Sequence, residues 1–111
     1  MKYMSTRGGV HGVSFQDAVM MGLADDGGLL IPEALPDVRP MLAAWRGLTY
    51  NAFAKQLLAL FIDDIEPAVL ARLVDDAYSS FAEPDVVRFA PVGEVTVQLP
   101  TSTSYFFLIL K

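Results

Sequence analysis

The chain contains no cysteine. That absence removes disulfides, thiolate metal sites and cysteine nucleophiles together. It is the usage of a reducing compartment, and the cytoplasm is the expected location. Histidine occurs once, as His11. A Ser–His–Asp arrangement needs a positioned base, and His11 alone could be one. Lying in a Gly-Gly-Val-His-Gly segment near one end, it reads as a surface residue with no catalytic role. Charge is scarce and leans acidic, with 8 basic residues against 13 acidic ones and a net charge of −5. No cluster of lysine or arginine occurs, so the basic stripe that would displace counterions from phosphates is missing and nucleic acid is not an expected partner. No run reaches the roughly 20 apolar residues of a membrane span, and residues 1–12 lack the apolar core of a secretory signal. No internal repeat or low-complexity tract is visible.

What the chain does have is apolar surface. Of its 111 residues, 53% are hydrophobic, enough to build one small domain and to argue against disorder. The cleanest periodic stretch is residues 67–81. There Leu70, Leu73, Val74, Ala77, Tyr78 and Phe81 recur at three- and four-residue steps on one helical face,. Pro67 suits the first helical position, Glu66 lies near the positive helix end, and Pro84 stops continuation.

Before it, Thr49 is placed to cap a helix over residues 50–61, with Tyr50, Phe53, Ala54, Leu57, Leu58, Leu60 and Phe61 as its stripe,. Two helices joined by a few residues should lie antiparallel with their stripes packed together. Nearer the start, Ser14 and Asp17 form a capping-box arrangement for a helix over residues 15–21, with Phe15, Ala18, Val19 and Met21 inward and Gly22 at its left-handed end. Asp37 caps a short helix over residues 38–44, with Pro40 in its first turn and Trp45 anchoring the core from its end. Short extended pieces are expected at residues 2–7 and 29–32, and strands at 86–89 and 95–99, with Pro91 and Gly93 between the last two.

Little of this points to chemistry. The carboxylate pairs Asp25-Asp26, Asp63-Asp64 and Asp75-Asp76 lack metal-site spacing, and the first two sit in turns, where aspartate serves the backbone. Arg7-Gly8-Gly9 could cradle an anion through its N–H groups, but without a P-loop lysine or a GxGxxG pattern a plain turn is the better reading. No catalytic, cofactor-binding or metal-ligating residue is assigned.

A series of short motifs adds to this. Tyr3-Met4-Ser5-Thr6-Arg7-Gly8, then Val13-Ser14-Phe15, then Gly22-Leu23-Ala24-Asp25-Asp26-Gly27-Gly28-Leu29-Leu30-Ile31-Pro32, resembles the opening of the threonine synthase family. Trp45, Leu48-Thr49-Tyr50, Leu60-Phe61-Ile62 and Val74-Asp75-Asp76-Ala77-Tyr78-Ser79 recur in register. The resemblance covers roughly residues 2–94. It implies an α/β enzyme of the tryptophan-synthase-β-like fold, of which this stretch is the mainly α-helical N-terminal domain with a few short strands. It further implies pyridoxal phosphate as cofactor, held by a lysine as a Schiff base, and conversion of O-phospho-L-homoserine and water to L-threonine and phosphate. Vertebrate threonine-synthase-like proteins, which act as phospholyases, are similar too.

The resemblance stops before the cofactor lysine. The family continues into a Phe-His-Gly-Pro-Thr-Leu-Ala-Phe-Lys-Asp passage, whereas this chain reads Leu99-Pro100-Thr101-Ser102-Thr103-Ser104 and ends Tyr105-Phe106-Phe107-Leu108-Ile109-Leu110-Lys111. Lys111 stands near the right distance, but its neighbours do not match, and the Schiff-base role is not transferred to it. The expectations are therefore a domain over residues 1–94, a divergent start of a cofactor domain over 95–111, no pyridoxal phosphate bound to this chain alone, and the catalytic domains of the same enzyme as partner. A competing reading is a non-catalytic interaction module that self-associates through the apolar run from Tyr105 to Leu110.

Overall fold

A computed structural model describes residues 1–79, 87–92 and 95–100. Helices predominate. In chain order the elements are β1 (Tyr3–Ser5), α1 (Phe15–Met21), β2 (Leu30–Pro32), a 3-10 turn (Arg39–Met41), α2 (Leu42–Trp45), α3 (Tyr50–Leu58), α4 (Pro67–Ser79), β3 (Val87–Val92) and β4 (Val95–Pro100).

The helix starts follow from local chemistry. Ser14 is extended and its Oγ accepts from the Asp17 N–H; α1 then runs over the expected residues and closes on Gly22, whose φ is +69°,. Thr49 caps α3 in the same way through the Ala52 N–H. The expected helix over residues 38–44 divides in two. Pro40 lies in the 3-10 turn Arg39–Met41, and α2 follows at Leu42–Trp45. The N-cap of the turn is Val38, which makes no side-chain cap bond, rather than the expected Asp37; Asp37, one residue earlier, accepts from the Arg39 N–H at 3.1 Å and from its guanidinium at 2.8 and 2.7 Å.

Helix α3 ends three residues earlier than its periodicity suggests. Past Leu58 the bonds tighten to three-residue steps, Leu60 N–H to Leu57 O and Phe61 N–H to Leu58 O at 3.1 and 3.0 Å,. Leu60 and Phe61 therefore lie in a turn rather than on the helix. Pro91, expected between strands, lies inside β3 opposite Thr96. A two-stranded antiparallel ribbon needs partner-facing N–H groups only at alternate positions, so a proline fits there. Phe81 and Pro84, read as the end of the last helix and its stop, lie outside the described residues.

The core sits between α3 and α4. Ala54, Ile62, Leu70 and Val74 are buried, with Phe15, Leu58, Phe61, Ile65 and Tyr78 packed around them. The helices run antiparallel. Tyr50 at the start of α3 meets Tyr78 near the end of α4, with ring centroids 5.0 Å apart, and Lys55 Nζ reaches Asp75 Oδ2 at 2.7 Å. Burial pushes the Tyr78 phenol up to about 12, with the Tyr50 hydroxyl beside it adding to the shift,. Trp45 is buried as expected; its ring meets Phe53 edge-on at 5.2 Å and its Nε1–H donates to Gln56 Oε1 at 2.7 Å. Two members of the α4 stripe face solvent instead. Leu73 is 51% exposed and Ala77 is exposed, because the contact with α3 follows the single row Leu70–Val74–Tyr78 and leaves residues three steps away at its margin.

Replacing Leu70 by alanine should cost about 2–4 kcal/mol in urea unfolding, whereas Leu73→Ala should cost less than about 1 kcal/mol. Equal losses would mean that α4 buries a wider face than this row.

Candidate functional site

The densest polar cluster joins the two motifs that open the chain. Residues 5–9 and 26–29 lie about 20 positions apart in sequence, and pairing of β1 with β2 brings them together. The register is antiparallel: Tyr3 opposite Pro32, Met4 opposite Ile31, Ser5 opposite Leu30. The pairing continues one step further, where the Thr6 N–H donates to Leu29 O at 2.9 Å and the Leu29 N–H donates to Thr6 Oγ1 at 3.0 Å. On its other side β1 bridges to Val13.

At the centre stands the Asp26 carboxylate. The Ser5 hydroxyl donates to Oδ1 at 2.6 Å, the Gly28 N–H to Oδ1 at 2.9 Å, and the Gly9 N–H to Oδ2 at 2.8 Å. Ser5, only 2% exposed, also accepts from the Arg7 N–H at 3.0 Å. The Arg7 guanidinium donates to the Asp26 main-chain oxygen at 2.9 Å. These bonds favour the ionised carboxylate and hold Asp26 below the ordinary aspartate range, the Ser5 bond contributing most, then Gly28,. Space at the cluster admits no further atoms. A Cβ on Gly28 would clash with Ser5 Oγ, and one on Gly9 would lie 2.7 Å from Asp26 Oδ2,.

This geometry answers the question left by the glycine pair. The Gly9 N–H does bind an anion, and the anion is the chain's own Asp26. Its neighbour Asp25 is exposed. His11 is exposed with Nε2 3.0 Å from Gly8 O, while the Ser5 and Ser14 hydroxyls are committed to Asp26 and Asp17. Asp63 pairs with the Met1 ammonium. Asp64 Oδ2 accepts from the Gln16 N–H at 2.8 Å near the start of α1, and its Oδ1 is buried with no partner among the described residues. Asp75 pairs with Lys55, which lowers the Asp75 pKa. Among the described residues no three histidine or carboxylate side chains are grouped to hold a metal ion. Tyr105 to Leu110 and Lys111 lie outside the described residues.

A second feature is a shallow groove of about 230 Å³ between α3 and α4, bordered by Lys55, Gln56, Ala59, Pro67, Leu70 and Ala71. Its two polar side chains are engaged elsewhere, Lys55 by Asp75 and Gln56 by Trp45.

The model of the family described as threonine synthase N terminus matches residues 2–78. The chain belongs to this family. The threonine synthase of Schizosaccharomyces pombe is 39% identical over 88 residues, covering 77% of this chain and 17% of the relative. Threonine synthase-like 2 of Xenopus laevis is 41% identical over 90 residues, covering 78% and 19%. The crystal structure of PLP-bound threonine synthase from Brucella melitensis superimposes with a TM-score of 0.78 at 35% identity, covering 88% of this chain and 22% of that one. The chain thus spans about a fifth of the length of the curated relatives it matches. The mainly helical fold with short strands, expected of this family's N-terminal domain, is the fold observed.

The described residues do not fit a pyridoxal phosphate site. The groove beside Lys55 offers no free cation for a phosphate, and Lys2 is exposed on the β1 side of the molecule. The cluster around Asp26 is filled by its own hydrogen bonds. What it can do is fix the loop that carries Arg7.

By sequence alone Asp26 is a turn residue serving its own backbone. Its bond to Gly28 is of that kind, but the bonds to Ser5 and Gly9 span 21 and 17 residues. The signal for them was the joint occurrence of Ser-Thr-Arg-Gly-Gly and Asp-Gly-Gly in one family pattern, not any local spacing. Because the folded-state pKa of Asp26 is depressed, its contribution to stability is complete above about pH 3.9, the unfolded value, and is lost as pH falls through the folded one. Asp26→Asn should therefore lower Tm at pH 7, with the gap to the unsubstituted chain closing below about pH 3.9. A gap of constant size down to pH 2 would show that ionisation of Asp26 contributes nothing.

Proposed function

We propose that the chain serves as the N-terminal domain of a threonine synthase, an enzyme that uses pyridoxal phosphate to convert O-phospho-L-homoserine and water to L-threonine and phosphate in threonine biosynthesis. The cofactor supplies the electron sink for that chemistry. The residues described here supply no catalytic step, and the chain alone is inactive. The observation that carries this reading is the family match over residues 2–78 in a chain that spans only about a fifth of its relatives. The proposed domain covers residues 1–94, with 95–111 opening the cofactor domain, a boundary that falls between β3 and β4. The partner is the catalytic remainder of the same enzyme, and the setting is the cytoplasm; among the described residues no helix is long and apolar enough to cross a membrane.

A second reading is favoured by the 41% identity to threonine synthase-like 2 of Xenopus laevis, beside 39% to the fission yeast synthase. In it the domain belongs to a phospholyase acting on similar phosphorylated substrates.

Pyridoxal phosphate added to the chain alone should give no protein-bound visible absorbance. A band that disappears in Lys111→Ala would overturn the assignment of inactivity. Fused in place of the matching segment of a complete threonine synthase, residues 1–94 should sustain phosphate release from O-phospho-L-homoserine, with threonine as co-product. A fusion that fails to turn over there, while the same residues fused into a complete threonine synthase-like 2 sustain phosphate release, would select the phospholyase reading.

A further inference from the structure

The β1–β2 ribbon has an inner and an outer face, and the register fixes which residues lie on each. Residues directly opposite share a face and alternate along the strand. Tyr3 and Ser5 point inward and are buried, with Leu30 and Pro32 partly covered beside them. The outer face then carries Met4 opposite Ile31, and Leu29 next to Ile31 on the same side. Leu29 is 62% exposed and Ile31 is 38% exposed. Lys2 and Glu33, joined by the bond from the Glu33 N–H to Lys2 O, border this face at one end, and Thr6 borders it at the other.

An antiparallel ribbon with one side on the core normally turns polar side chains to water on the other. Here both sides are apolar, and the outer one has an aliphatic centre with a polar rim, the anatomy of an interface. Its backbone is held in place by the hydrogen bonds around Asp26, so the face is set before anything docks on it.

We infer that the outer face formed by Met4, Leu29 and Ile31 is the seat of the catalytic part of the threonine synthase to which this domain belongs. The length of the relatives points to the occupant. Relatives at 39–41% identity carry about four-fifths of their chain beyond the matched segment. A body of that size on the same polypeptide is present at high effective concentration. This inference rests on the function proposed above.

The test uses the fusion of residues 1–94 to the remainder of the Brucella melitensis enzyme, beside the free chain. Ile31→Lys and the strand-compatible Ile31→Thr are placed in both. The fusion should lose about 5 °C or more in apparent Tm with Ile31→Lys and less with Ile31→Thr, while the free chain stays within about 3 °C. An unsubstituted fusion that folds and turns over while Ile31→Lys leaves its Tm unchanged overturns this surface and spares the proposed function. An unsubstituted fusion that neither folds nor turns over overturns both. A free chain that light scattering shows as a dimer, and that Ile31→Lys makes monomeric, assigns the face to a second copy and overturns the inference.

Discussion

The Asp26 carboxylate holds the opening of this chain together. Its three hydrogen bonds tie a strand, a glycine loop and a turn to one charged group. The strands are only three residues each, too short to define their register by backbone bonds alone. With the charged acceptor in place, Ser5 must lie beside Gly28, and the rest of the pairing follows. The absence of side chains at Gly9 and Gly28 is part of the same constraint, because the carboxylate and the Ser5 hydroxyl occupy the volumes in which a Cβ would stand.

The ribbon is joined to the helical core through Tyr3. Its ring lies 5.9 Å from that of Phe15, and its hydroxyl donates to Phe61 O at 3.0 Å. Burial, with the Asp64 charge nearby, raises the Tyr3 pKa, so the neutral phenol remains the donor across the physiological range. Asp64 in turn accepts from Gln16 at the start of α1. The turn after α3 therefore receives contacts from β1 and from α1 at once. This explains why Phe61 and Asp64 sit in a tight non-helical turn although the hydrophobic period continues through Phe61. Tertiary bonds to that turn override the local preference.

Helix existence was legible in the sequence wherever a cap and a periodic stripe coincided, as at Ser14 and Thr49. The same signals could not place Leu73 or the end of α3, because width of burial depends on which row meets the neighbouring helix. Strand pieces at both ends were visible as short β-prone runs, whereas the pairing of β1 with β2 was not, since its register is set by a side chain about 20 residues away. The family was legible because its motifs keep their order over some 75 residues. The role of Asp26 was hidden because aspartate before Gly-Gly is expected in any turn, and nothing local distinguishes one that also reaches across to Ser5 and Gly9.

The span between Tyr3 and Phe61 has a bearing on how the molecule comes to exist. The first strand leaves the ribosome before any of its partners: Val13 follows soon, Leu30 to Pro32 later, and the carbonyl that receives the tyrosine hydroxyl lies 58 residues after Tyr3. Closing so wide a loop is slow compared with forming a helical turn. Until then β1 is held by Val13, Asp26 and β2 alone, and its tie to the helical core forms only once the turn after α3 has emerged.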